Sequence, residues 1–348
     1  SGTNFYLDQA QYGSIKREFD LRNGCFILQE KQKIGIFKLL TFKYLTNYLL
    51  MISTDKITEI FCLIDDFCIE LDQVLDRNGI DDGSGIKRRN RAPKMSQSEV
   101  ITIMVLFHQK GYRCLKHFYL DHVCKHMRED FPDTVSYNRF VELQQKAVVP
   151  MVLFLQMCCL GQCSGISFMD STLIKVCHSK REKQNRVFKG IAEKGRGSMG
   201  WFFGFKLHII INERGQIIDF LITKGNVDDR QPLKDKTFHN KVFGKIFADR
   251  GYIGKDLFEE LFVDGIHLVT KIKKNMKNTL MHLYDKILLR KRAVVESVND
   301  ILKNQCQIEH TRHRSFGNFI TNMVSGLIAY AFYPTKPNIN IDNLQRIG

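Results

Sequence analysis

Three acidic residues stand where a charge is costly. Asp170 lies within the apolar run from Ile166 to Val176. Asp249 closes a short apolar stretch in Ala248-Asp249-Arg250-Gly251-Tyr252. Glu296 sits among valines in Arg292-Ala-Val-Val-Glu-Ser-Val298. A carboxylate in such surroundings must be paired, hydrogen-bonded or bound to metal. Each also has a plainer reading: a strand-end turn for Asp249, an intrahelical pair with Arg292 for Glu296. Asp170, inside a strand, has the weakest plain reading. Three convergent carboxylates suit phosphoryl transfer, in which two hard cations about 4 Å apart activate the attacking oxygen and stabilise the leaving one.

The elements around these acids follow from pattern. A helical stripe runs through Ile57, Ile60, Phe61, Ile64, Phe67, Leu71 and Leu75. Ser96 and Glu99 form a capping box before an apolar helix that stops near Gly111. Helices are expected from Leu115 to Met127, from about Tyr137, and from Ala147 to Leu160. After Gly165 the texture changes to strands at 166–176, 201–212 and 216–223, with a hairpin turn at Asn212-Glu-Arg-Gly215. A helix is expected over 228–240, strands over 245–249 and 266–272, and helices over 255–263 and 292–304. The order predicts an α/β domain with a mixed five-stranded sheet and flanking helices, preceded by an all-helical domain. The divisions are an N-terminal extension of uncertain role (1–50), a helical and DNA-binding domain (51–160), the catalytic domain (161–335) and a tail (336–348).

Composition points to the partner. The 348 residues carry 52 Lys and Arg against 37 acids, a net charge of +15 that favours a polyanion, most often nucleic acid. Lys87 to Lys94, with Arg88, Arg89 and Arg91, holds five cations and no acid. Solvated linker and phosphate contact explain it equally well. Lys175 to Gly200 holds eight cations against two acids, with Lys180 and Arg181 as candidate phosphate contacts. Residues 139–146 expose Arg139 and Lys146, compatible with a helix-turn-helix reader or, more simply, a plain bundle.

Other features have plainer readings. Ala147 to Met169 lacks charge, but Pro150, Gln156, Gly161, Gln162 and Gly165 interrupt it, so no membrane span is expected. Cys114, His117, His122, Cys124 and His126 match no zinc-finger spacing. Without a signal sequence, the ten cysteines are expected to be reduced and the protein cytoplasmic. Lys206 and His208 alternate with apolar residues and face either the site or solvent. Asp228 and Asp229 are expected to cap a helix. Trp201, the only tryptophan, is expected in the core rather than against an unpaired base.

The chain resembles DDE transposases of bacterial insertion sequences, most closely insertion-sequence family 982, over roughly residues 51–333. The resemblance rests on Met169-Asp-Ser-Thr172, Gly200-Trp-Phe-Phe-Gly-Phe-Lys-Leu-His208, Gly225-Asn-Val-Asp-Asp-Arg230, Ala248-Asp-Arg-Gly-Tyr252 and the spacing Arg292-x3-Glu296-x6-Lys303. Leu289 stands where related families often carry a tyrosine. The resemblance implies an RNase H-like catalytic domain with Asp170, Asp249 and Glu296 as ligands of two Mg²⁺ or Mn²⁺ ions. It implies cleavage at transposon ends by water, followed by 3′-hydroxyl attack on a target duplex, by a nucleoid-associated homodimer on DNA. Arg292, Lys303 and Lys206 would contact DNA. Two other classes remain open: an RNase H-like nuclease or resolvase without transposition, and a non-catalytic DNA-binding derivative.

Overall fold

The computed structural model describes residues 54–77, 93–197, 200–271, 281–309 and 313–341. The extension before residue 51 and the cations Arg88, Arg89 and Arg91 lie outside the described residues. Chain contacts divide the molecule into two units: residues 1–56 with 69–88, and residues 57–68 with 89–348. Of the first, the described residues are the two ends of helix α1, Thr54–Arg77. All that follows concerns the second.

Helix α2, Gln97–Gln109, begins as the sequence dictates. Ser96 Oγ accepts from the Glu99 amide at 3.0 Å, and Glu99 Oε2 accepts from the Ser96 amide at 2.6 Å. These reciprocal bonds satisfy two amide donors that a bare helix start leaves unpaired. It stops at Gly111, whose φ of +65° is cheap only for glycine. Residues 115–126 form α3, with a π-helical centre at Phe118–Val123. Helix α4 is Tyr137–Lys146. Helix α5 is Val148–Phe154, and it runs on as a π-turn through Leu155–Cys159.

The sheet contains β1 (Ile166–Cys177), β2 (Glu193–Gly197), β3 (Gly200–Asn212), β4 (Ile217–Lys224), β5 (Gly244–Ala248) and β6 (Ile266–Thr270). It has six strands rather than the five expected. The addition is β2, a Glu-Lys-Gly-Arg-Gly segment with no apolar alternation to announce it. β2 and β4 share one edge of β3: β2 lies along Gly200–Gly204 and β4 along Phe205–Ile211. On the other edge β1 runs antiparallel to β3 and parallel to β5, which pairs parallel with β6.

Helices cover both faces. The helix expected over 228–240 is instead a 3₁₀ turn at Gln231–Lys234 followed by α6, Lys236–His239, because Pro232 offers no amide donor. Helix α7 is Lys255–Val263. Its Leu257 and Leu261 join Phe238, Met169, Ile210, Ile246 and Leu268 in one buried cluster. The expected long helix at 292–304 begins earlier and bends. Helix α8 is Leu283–Lys291, and α9 is Ala293–Asp300 with a π-turn through Ile301–Gln305.

A last helix, α10 (Phe316–Ala331), has no counterpart among the elements expected from pattern, and it sits at the centre of the unit. It packs on α2, α4 and α5. On the sheet side Phe319 stacks on Phe205, with ring centroids 4.9 Å apart. Two of its buried hydroxyls bond back into the helix: Thr321 Oγ1 donates to the Gly317 carbonyl and Ser325 Oγ to that of Thr321. A Cβ on Gly326 would lie 2.3 Å from Ile308, so glycine permits the close approach there. Among the described residues, no helix is long and apolar enough to cross a membrane.

Candidate active site

Strand alternation sorts the candidate residues onto two faces. In the β1–β3 register Asp170 lies opposite Ile209, Ser171 opposite His208, and Leu173 opposite Lys206. Residues directly opposite share a face, and successive residues alternate. Asp170 therefore projects toward α9, while Ser171, Lys206 and His208 project from the other face.

On the α9 face the acids meet a guanidinium. Arg292 Nη2 donates to Glu296 Oε1 at 2.6 Å, and Arg292 Nη1 lies 3.8 Å from Asp170 Oδ1. Asn299 Nδ2 donates to Asp170 Oδ2 at 3.2 Å. Arg292, Glu296 and Asn299 are spaced three and four residues apart, so one side of the continuous α9 turn presents all three. Asp249 follows β5 directly and is exposed. β1 and β5 pair in parallel as far as Phe168 with Phe247, so Asp170 and Asp249 stand two residues beyond the same rung. Burial raises the Asp170 carboxyl to about 6; Arg292 opposes this, and the charges of Glu296 and Asp249 reinforce it.

The donor set is all oxygen and carries more negative charge than Arg292 neutralises, which fits a hard divalent cation. The side chains stand apart from a closed coordination shell. Among the described residues, no three His, Cys, Asp or Glu side chains are gathered closely enough to hold a metal. Arg292 instead spans two of the acids.

On the opposite face lies a group that sequence spacing does not assemble. Asp229 Oδ1 accepts from Lys206 Nζ at 3.0 Å and from Ser171 Oγ at 3.0 Å. Lys206 Nζ also donates to the Val227 carbonyl at 2.8 Å, and Lys206 is buried. His208 shares a hydrogen bond of 2.9 Å with Thr223 Oγ1. Burial lowers His208 to about 4, so it is neutral near pH 7. Tyr252 is buried close by; burial and the charges of Asp170 and Asp229 raise its hydroxyl far above the ordinary phenol range. Asp228, expected to cap a helix together with Asp229, closes a turn on Arg230 through the backbone amide, Nε and Nη2. Those bonds hold its carboxyl well below the usual range. The one signal for this group in the sequence is the alternation of Lys206 and His208, which leaves their partner unspecified.

The remaining cations divide. Lys303 is turned inward, donating to the Leu173 carbonyl at 3.0 Å and pairing with Glu309 at 3.0 Å. It pins the π-turn after α9 to β1. Lys180 and Arg181 are exposed on a 3₁₀ segment, Ser179–Gln184. Trp201, expected in the core, is 61% exposed.

Among solved structures, the chain is similar to piggyBac transposase in the cryo-EM structure of its synaptic complex with hairpin DNA. The TM-score is 0.41 and the identity 11%, over 80% of this chain and 71% of that one. No curated protein matches the sequence. Residues 160–316, the stretch that contains Asp170, Asp249 and Glu296, match the family model of a transposase DDE domain.

Proposed function

We propose that the chain is a DDE-type polynucleotidyl transferase with an RNase H-like catalytic domain, acting as a transposase of the kind found in insertion-sequence family 982. The observation that carries this reading is Asp170 and Glu296 held on one guanidinium, with Asp249 beyond the same rung of the parallel β1–β5 pair. The match to a transposase DDE domain over the same stretch supports it. So does the sheet order, four strands in antiparallel pairings followed along the chain by two parallel ones.

Asp170, Asp249 and Glu296 would hold two Mg²⁺ or Mn²⁺ ions, which supply activation of the attacking oxygen and stabilisation of the leaving oxygen. The protein's own contribution is placement. Asn299 orients Asp170 through its second oxygen, and Arg292 compensates the acids until cations do so. Once released from Glu296, Arg292 is placed to hold a phosphate oxygen. DNA, as element ends and target duplex, is the partner, met by the exposed cations Lys180 and Arg181, by Arg88, Arg89 and Arg91, and by a second copy of the chain at the other end.

The test is strand cleavage and joining on DNA carrying the element ends, with and without Mg²⁺. Cleavage and joining that both vanish in Asp170→Asn, Asp249→Asn and Glu296→Gln support the reading. Cleavage without joining would identify a nuclease instead. Unchanged activity in any one of the three variants would overturn the metal assignment.

A further inference from the structure

An open cleft of about 390 Å³ is lined by Lys194, Arg196, Trp201, Lys206, Asp229 and Gly251, among others, and so contains the Lys206–Asp229 pair described above. Its size falls within the range of about 300–1,000 Å³ typical of small-ligand sites. Trp201 presents its indole to this space at 61% exposure. Lys194 Nζ stands 5.3 Å from the ring centroid. Arg196 is the cross-strand partner of Trp201, so the two side chains share a face of the β2–β3 pair.

The charge balance of the cleft is positive. Its two acids are already partnered, Asp228 with Arg230 and Asp229 with Lys206. Neither Lys194 nor Arg196 has a carboxylate partner among the described residues. Two glycines, Gly195 and Gly225, keep one wall thin. A Cβ on Gly195 would lie 2.0 Å from the Gly225 carbonyl oxygen, so the backbones there touch. A Cβ on Gly251 would meet nothing within 4 Å, and Gly251 is two residues from Asp249. A flat aromatic face, two cations without carboxylate partners and an open mouth match the needs of one ligand class.

The geometry points to a subsite for a single unpaired nucleotide of a DNA strand, its base stacked on Trp201 and its phosphate held by Lys194 and Arg196. A base inside a duplex has both faces covered by its neighbours, whereas an unstacked base offers one to the indole. The strand that supplies this nucleotide is the one on which the acids act. That consequence rests on the transferase reading, but binding to the subsite does not.

Trp201 is the only tryptophan, so tryptophan fluorescence, excited selectively beyond the tyrosine band, reports on this cleft alone. The full chain is titrated with a 12-nucleotide oligothymidylate, with a blunt duplex, and with the same duplex carrying a single-stranded extension. Fluorescence and the anisotropy of labelled DNA are followed together. Quenching is expected with the oligothymidylate and the extended duplex but not with the blunt one. Affinity for oligothymidylate should fall about tenfold in Trp201→Ala and recover in Trp201→Phe. Lys194→Ala should weaken the same binding. Wild-type binding without quenching, or undiminished binding by Trp201→Ala, overturns the proposal. If Trp201→Ala fails to fold, the wild-type quenching comparison decides alone. Quenching without strand cleavage would leave the subsite standing and remove the transferase reading; cleavage without quenching would do the reverse.

Discussion

Burial makes the Asp170 position an unfavourable one for a charge. Its folded-state value, about 6, exceeds the unfolded value near 3.9, so the ionised form opposes folding above pH 6. That penalty disappears below about pH 4, where the group is neutral in both states. Asp170→Asn should therefore raise Tm at pH 7 without metal, by the equivalent of about 1–3 kcal/mol, while strand cleavage is lost. A thermal melt series from pH 7 to pH 4 checks it; the gain should shrink toward zero at the acid end. The Lys206–Asp229 pair is asymmetric. Lys206 is 10% exposed at its side chain and Asp229 35%. Removing the acid leaves a buried ammonium with only the Val227 carbonyl, whereas removing the lysine leaves an acid that water reaches. Asp229→Ala should cost about 3 kcal/mol and Lys206→Met distinctly less, measured by urea unfolding. At this scale the acids are legible in the sequence, because a charge in an apolar run is visible in one dimension. Asp229 is not legible as the partner of Ser171 and Lys206, which lie on two different strands and meet it only in the folded sheet.

Elements are legible where one face meets solvent. Helix α1, the α2 capping box, β1, β4 and α7 all announce themselves by periodicity or cap chemistry. Ser96→Ala should lower stability by about 1 kcal/mol, because both reciprocal bonds at the start of α2 depend on that hydroxyl or on the geometry it fixes. Equilibrium unfolding of the single variant tests this, and a change below about 0.3 kcal/mol would mean that burial of α2 alone holds its first turn. β2 and α10 are illegible for opposite reasons. β2 has no apolar side chain to pattern: its charged residues alternate with glycines, and Gly195 and Gly197 permit close approach to Gly225 and Leu173. α10 is buried all round, so it has no polar face to set against an apolar one. Thr321 and Ser325 find carbonyl partners within the helix itself, whereas Asn322 bonds to the Ile308 carbonyl, a partner that only the folded chain supplies.

The net charge of +15 acts on the molecule as a whole. If phosphate contacts dominate DNA affinity, log K falls with log salt by about 0.9 per contact. The double variant Lys180→Ala/Arg181→Ala should lower that slope by up to about 2, equally for cognate and random duplexes. An unchanged slope would remove this segment from the DNA surface. Stability should also fall with acid. His108 is wholly buried in α2, its Nδ1–H donates to the Cys306 carbonyl, and burial lowers it to about 4. A histidine lowered in the folded state stabilises fully above its unfolded value near 6.5, and that stability is lost as pH falls toward 4. The loss between pH 7 and pH 5 is about 2 kcal/mol, opposite in sign to the Asp170 effect. Denaturation midpoints at the two pH values, for wild type and His108→Gln, separate the two contributions; the variant should show the smaller decline.

The position of α10 also sets a schedule. Helices α2, α4 and α5 are made early on the ribosome, yet the surface they bury is supplied by residues 316–331. Until that segment emerges, the newly made helices and the sheet both hold apolar faces with nothing to cover them. Folding of the unit is thus postponed until residues 316–331 have been made, because the contacts that close it are distant in sequence. The same dependence couples the two halves once folded. Whatever loosens α10 opens the helical layer and the sheet together, so the acids and the helices in front of them are kept or lost as one.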